Sequence, residues 1–374
     1  MIESGTTPYR RFPVRGSFIN IKTMAKFARP GRIDAARVYN EKQARANALP
    51  NAKGALSMNS PQKILWSLIA SFSPHYLQYA DPYHEVRLTQ QLSDFFPFGW
   101  GLCSMVVDQD VLTNGEFTLV ELRGTMPDRL NVRIPEQDLS PLTRNFGDFP
   151  LDTEHPLDVF LTIPIERIGL SKCELENKTQ SDRPRYVGSP LRLPDYNIGE
   201  NPQDVLVARK NFSISFSAEA LPDYSIIKIA QLVRQSDGLM ALQDSYIPPL
   251  LWISGSDTLM KLLHGLIERL AEIGKALADQ QRGDRADRGA DLSRFLLQDA
   301  IHSTIPVLTH YYDVGRIHPE VLFIELARLA GKFTLVNPES SPSDLPKYQH
   351  SDLQHTFLEL DRHFRSILDN MILN

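Results

Sequence analysis

Near residue 254 the hydrophobic pattern changes its period, and the two periods cannot be built into one kind of element. Upstream, over residues 100–230, apolar and polar residues alternate. They do so in LNVRI (130–134), in LDVFLTI (157–163), and in FSISFSA (212–218), where Phe212, Ile214 and Phe216 share one face and serines take the other. Alternation of period two buries one face of a strand and wets the other. Asn114-Gly115, between CSMVVDQDVL and FTLVEL, reads as a two-residue hairpin turn. Short strands punctuated by proline and glycine predict an antiparallel β-sandwich.

Downstream the spacing is helical. Leu259, Leu263, Leu266, Leu270, Ile273 and Leu277 step 4, 3, 4, 3, 4. Leu322, Leu326, Leu329 and Phe333 follow Pro319, a good first-turn residue. Leu353, Phe357, Leu360, Phe364, Ile367 and Met371 repeat the pattern, with Ser351 placed to cap. DLSRFLLQDAIHSTIPVLTHYY supplies a fourth helix, expected to bend at Pro306. A seam of 4-3 spacing must meet other helices. Six large apolar side chains, at about 1.5–3 kcal/mol each when buried, give the last helix at most roughly 9–18 kcal/mol, too much to leave in water. Leu263, Leu270, Leu326, Leu329, Phe357 and Phe364 are the predicted core. The fold class is therefore α+β and multidomain: an antiparallel β-sandwich over residues 58–250, then a four-helix bundle over 251–374, with linkers at 280–291 and 337–350.

Charge is uneven. Residues 1–60 hold eleven Lys/Arg against three acids, a surplus of eight; with the whole chain at −5, the remainder carries −13. Such an arm suits nucleic acid, anionic lipid or a transit peptide. It lacks aromatic–basic interleaving and periodicity, so residues 1–57 read as a disordered extension, with Met58 resembling a fresh start. No apolar run reaches the length of a membrane span. Two cysteines, Cys103 and Cys173, exclude a disulfide scaffold and fit a reducing compartment; both read as small buried residues.

Catalytic signatures are missing. Gly331-Lys332 lacks the rest of a phosphate-binding loop, and WISGSD (252–257) is not a nucleophile elbow but a strand end followed by a helix cap. HYYDVGRIHPE offers His310, Asp313, His318 and Glu320, whose spacing matches no metal-ligand motif; a polar corner between helices, with His318 near a helix start, is favoured. SPHYLQYADPYHEVRL (73–88) holds His75, Asp81, His84 and Glu85, tempting for acid–base chemistry but without a nucleophile. Asp81 as N-cap, Pro82 as first helical residue and Glu85 completing a capping box explain it, leaving His84 exposed. No catalytic residue, cofactor or metal is expected.

The order of these segments resembles the TssK (ImpJ/VasE) family of type VI secretion baseplate subunits over roughly residues 58–374. The likeness rests on ILWSLIASFSPHYLQYADPYHEVRL, where Trp66, Pro74, Gln78, Asp81, His84 and Glu85 fit the family's opening, and on PFGWGLCSMVVDQDVLTNGEFTLVELRGTMPD, with Trp100 and Gly101. YIPPLLWIS (246–254), with Pro248 and Pro249, and IHPEVLFIELARLAGKF (317–333) are the most specific strings. Departures are Ser67, Leu68 and Ile69 where the family has an acid and glycine, and His75 and Tyr76 where it has Gln and His. The resemblance implies a non-enzymatic homotrimer in the cytoplasm of a Gram-negative bacterium, at the baseplate on the inner membrane. It implies a sandwich "shell" that docks on the TssF/TssG wedge and a helical neck. It also implies a head domain, expected to be absent here, that would contact TssL and TssM. No nucleic-acid binding or membrane insertion is implied. The other readings are a hydrolase on a β-sandwich using His75, His84 and Asp81, and a paralogue that binds the wedge without completing assembly.

Overall fold

The computed structural model describes residues 61–66, 73–147, 149, 156–166, 172–174, 183–217, 219, 221–236, 238–281, 288–335 and 341–373. The basic arm and the suggested start at Met58 lie outside these residues. A helix, α1 (Pro74–Phe95), precedes all the strands. Its N-cap is Ser73, with Pro74 at the first position, and it runs through Pro82. The expected start at Asp81 is therefore corrected: Ser73-Pro74 offers the same extended-residue-plus-proline signal a full two turns earlier. The turn left without Pro82's N–H begins at exposed Gln78, where water can serve.

Eleven strands follow among the described residues. β1 (Gly101–Asp108), β2 (Glu116–Thr125), β3 (Asn131–Ile134) and β4 (Leu142–Asn145) form one antiparallel sheet, in which β2 pairs with all three others. A second antiparallel sheet has the order β11 (Met240–Leu242), β10 (Tyr224–Arg234), β5 (Leu157–Pro164), β9 (Ser213–Phe216). The two share one apolar core, with Phe117, Leu119 and Leu122 from β2 meeting a cluster that includes Val159, Leu161, Ile163, Ile227 and Ile229. A third sheet, unforeseen in the sequence, joins β6 (Cys173–Glu174), β7 (Tyr186–Leu193) and β8 (Gln203–Lys210), with β6 parallel to β7. It is tied to the first sheet by Arg185–Asp128 (2.8 Å) and by Lys210 to the buried Asp138 (3.2 Å).

Local expectations change in three places. β1 and β2 do form a hairpin, but its connection is a 3-10 turn over Asp110–Asn114, closed by Gly115 at φ 82°, not a two-residue turn. In β5 burial is almost continuous: Phe160 and Thr162, on the side expected to be wet, are both buried. The Thr162 hydroxyl is satisfied by Ser213 O (3.0 Å) and Asp158 by Lys228 (2.7 Å), so polar residues on this face meet protein partners rather than water. Ser215, on the supposed wet face of β9, is buried as well.

Among the described residues four α-helices come after the strands: α2 (Asp257–Gln281), α3 (Arg288–Val314), α4 (Pro319–Phe333) and α5 (Leu353–Leu373). Each packs on the next, and α5 returns to α2. The seams lie inward: Leu259, Leu263, Leu270, Ile273, Leu322, Leu326, Leu329, Phe333, Leu353, Phe357, Leu360, Phe364 and Ile367 are buried, while Leu266 and Leu277 are half-buried; the Met371 side chain lies outside the described residues. Ser256 caps α2 through Leu259 N–H (3.3 Å). Asp352, not Ser351, caps α5, its carboxylate accepting from His355 N–H (3.0 Å). Cys103 and Cys173 are both half-buried rather than enclosed, and burial still raises the Cys103 thiol pKa against the pull of Arg133 and Arg123.

Candidate functional site

Backbone accounting locates the place where sheets and helices are joined. Residues 96–100 link α1 to β1, and four of their carbonyls accept hydrogen bonds from side chains far away in sequence. Arg129 donates to Phe96 O (2.9 Å) and Pro97 O (3.0 Å), His318 Nε2 to Phe98 O (3.0 Å), and His350 Nε2 to Trp100 O (2.6 Å). An irregular segment beside a core must pair its polar groups in this way. Arg129 stands at φ 72°, a conformation that only specific surroundings hold in place.

The two imidazoles stack, 5.2 Å apart at 15°. Their carbonyl partners fix the proton on each Nε2, so each Nδ1 must accept. It does: His318 Nδ1 takes Glu320 N–H (3.1 Å), capping α4, and His350 Nδ1 takes the Tyr348 hydroxyl (2.8 Å). Trp100 meets His350 edge-on at 4.7 Å, and Phe98 and Phe323 flank Tyr348. Burial pushes His350 down to about 3, helped by His318 and Arg129 and opposed by its bond to Trp100 O. Burial also lowers His318, against Glu320 and the Phe98 carbonyl, and raises Tyr348. Both rings are neutral and fully engaged, which suits a joint.

The string YIPPLLWIS supplies the other half of this joint. Leu102 N–H donates to Pro249 O (2.9 Å) and Leu251 N–H to Leu102 O (2.8 Å), a parallel bridge onto the start of β1. Further on, Ile253 N–H reaches Ile317 O and Ser254 N–H reaches Gly315 O, so the two most specific strings of the sequence touch. Gly101 is required here: its φ is 130°, and a Cβ would lie 2.8 Å from the Leu250 backbone. Gly101→Ala is expected to destabilise the protein by about 2–4 kcal/mol, read as a shift in the urea midpoint; an unchanged midpoint would mean the bridge is not held this closely.

Of the residues singled out in the sequence, Trp100, Gly101, Pro248 and Pro249 come together at this joint, and all six predicted core residues are buried among the helices. Trp66 is exposed and lies against Tyr76 (5.6 Å). Pro74, Gln78, Asp81, His84 and Glu85 are exposed along α1. His75 and His84, nine residues apart on one helix, point to opposite sides of it, so the His75–His84–Asp81 constellation does not assemble. Among the described residues no group of three or more His, Cys, Asp or Glu could hold a metal, and no helix is long and apolar enough to cross a membrane. Sequence reasoning missed His350, Tyr348, Phe98 and Arg129. The only signal was an aromatic–histidine pair in a proline-bearing linker, and that has no period.

Comparison with known proteins follows the same outline. A family model described as "Bacterial Type VI secretion, VC_A0110, EvfL, ImpJ, VasE" matches residues 76–374. The type VI secretion system baseplate component TssK1 of Pseudomonas aeruginosa is 26% identical over 321 residues, covering 84% of this chain and 70% of that protein. A chain from the baseplate complex of the type VI secretion system superimposes with a TM-score of 0.74 at 25% identity, over 82% of this chain and 99% of that one. A chain from the TssK-TssF-TssG baseplate subcomplex gives 0.72 at 23% identity, over 82% and 99%.

Proposed function

Since this chain belongs to the type VI secretion family of ImpJ and VasE proteins, we propose that it works as a homotrimeric connector of the baseplate. It is a TssK-like structural component rather than a known type of enzyme. In this reading residues 58–250 form the shell that docks on TssF and TssG, residues 251–374 form a four-helix-bundle neck, and the site of action is the cytoplasmic face of the secretion machine. Any contact with TssL or TssM belongs to a head domain beyond the neck. The observation that carries the reading is the joint at His318 and His350, whose side chains bond to the carbonyls of the segment that leads into β1. Side chains bonded across the two halves in this way suit a subunit that transmits position between two assemblies. The likeness to a chain solved within a baseplate complex supports the partner class. Native mass measurement of the purified protein is expected to give three copies per particle; a monomer at every concentration would overturn the trimer.

A further inference from the structure

Two features of this chain are left largely uncovered by the described residues of one copy. The first is α1, a 22-residue helix with no buried residue. Its outward face carries Leu77 (50% exposed), Leu88 (58%), Leu92 (43%) and Phe95 (77%), in which Leu88, Leu92 and Phe95 stand at i, i+4 and i+7. Asp81 and Glu85 lie on the same face. The helix is about 33 Å long, at 1.5 Å per residue. Its end is clamped by Arg129 through the Phe96 and Pro97 carbonyls.

The second is a groove of about 580 Å³ between α2 and α5. Leu262, Leu266, Phe364 and Leu368 make its floor. Its rim carries Lys261, Arg269 and Arg365 against Asp244 and Asp361, and Asp361 is committed to Arg365 (2.7 Å). Gly265 stands in the groove wall, with nothing within 4 Å of where its Cβ would be. A glycine inside a helix costs about 1 kcal/mol relative to alanine, and within one copy the gap it leaves is unused. A missing side chain at that point lets another backbone come close.

We infer that α1 of one copy lies in the α2–α5 groove of a second copy, with Leu88, Leu92 and Phe95 on the apolar floor and Asp81 and Glu85 beside the Lys261 side of the rim. A helix that lays an apolar stripe in an apolar groove is a standard mode of recognition, and here the acids of the stripe meet a basic rim. No α1 residue lines the groove of its own chain. Helix and groove are different surfaces, so the contact is head-to-tail, and three such contacts close a ring. The inference rests on the trimer proposed above and names the surfaces that would build it.

The test uses the full chain with Cys103→Ser and Cys173→Ser. Two differently tagged versions, one with Leu88→Cys and the other with Lys261→Cys at the exposed rim, are co-expressed and treated with a short bismaleimide; Thr258→Cys, also in the groove lining, serves as a second attachment point. A cross-link between the two tags that needs both cysteines is the expected result. A trimeric native mass with no such cross-link would overturn this contact and leave the trimer standing. A monomeric mass would overturn both. If the link forms only within a chain bearing both cysteines, α1 folds onto its own groove and the inference fails. Independently, Leu88→Asp with Leu92→Asp should raise the concentration needed for assembly by at least about tenfold, without altering the far-ultraviolet spectrum. Glu85→Lys should weaken assembly and Lys261→Glu should restore it; no rescue would remove the proposed register.

Discussion

Replacing His350 with alanine is expected to cost about 4 kcal/mol or more, enough to threaten a protein whose total stability is of the order of 5–15 kcal/mol. The ring is 1% exposed, so its removal leaves a cavity against Trp100, Phe98 and His318. It also strands the Trp100 carbonyl and the Tyr348 hydroxyl without partners. His350→Gln, which can still donate to a carbonyl, should lose less. Chemical denaturation of the two variants measures the difference, and equal losses would show that volume alone matters there.

The same residue sets a pH dependence. His350 is held near 3 in the folded chain, against about 6.5 for an ordinary histidine. Below pH 6.5 the unfolded chain therefore binds a proton that the folded chain refuses, and stability falls as the pH falls. The contribution is fully present above about 6.5 and is lost progressively toward 3, at roughly 1.4 kcal/mol per unit. His318 and Tyr348 face the ring, with Arg129 and Glu320 close enough to act on the pair. Between pH 5 and 6.5, where most carboxylates stay ionised, the wild-type protein should lose stability more steeply than His350→Gln. Parallel slopes would contradict a buried neutral imidazole.

Phe364→Ala is the second large effect, expected at about 3–5 kcal/mol. Phe364 is 1% exposed on α5 and meets Phe333 of α4 edge-on at 6.1 Å. Arg362, two positions back, is exposed and bonded to Glu359 (2.7 Å) on the same helix. A surface pair of this kind contributes about 0–1 kcal/mol, so Arg362→Ala should change the unfolding midpoint little. Similar losses in the two variants would mean that the last helix is not packed along its 4-3 seam.

The helices were legible because burial at 4-3 spacing leaves a mark on every turn, as Leu259 to Ile273 and Leu353 to Ile367 show. Some strand positions were legible too, in LNVRI, LDVFLTI and FSISFSA, but not their surroundings, and the third sheet was not read from the sequence at all. Alternation in LDVFLTI promised a wet face, and in the fold Phe160 and Thr162 on that face are buried. A sequence records polarity, and Thr162 and Asp158 are polar because they pair with Ser213 and Lys228, not because they meet water. The start of α1 was misplaced for a related reason, since one X-Pro signal cannot be ranked above another without the packing around it. The joint itself was half legible. Trp100, Gly101, Pro248 and Pro249 were singled out from their strings, whereas His350 and Tyr348 sit in an aperiodic linker where only the fold brings them to Trp100.

The most direct measurement is co-expression of the full chain with TssF and TssG, followed by purification through a tag on TssF and native mass spectrometry of the eluted particle. The expected particle contains TssF, TssG and this chain in multiples of three. TssF and TssG eluting together while this chain stays behind, folded and soluble, would contradict a wedge-docking baseplate subunit.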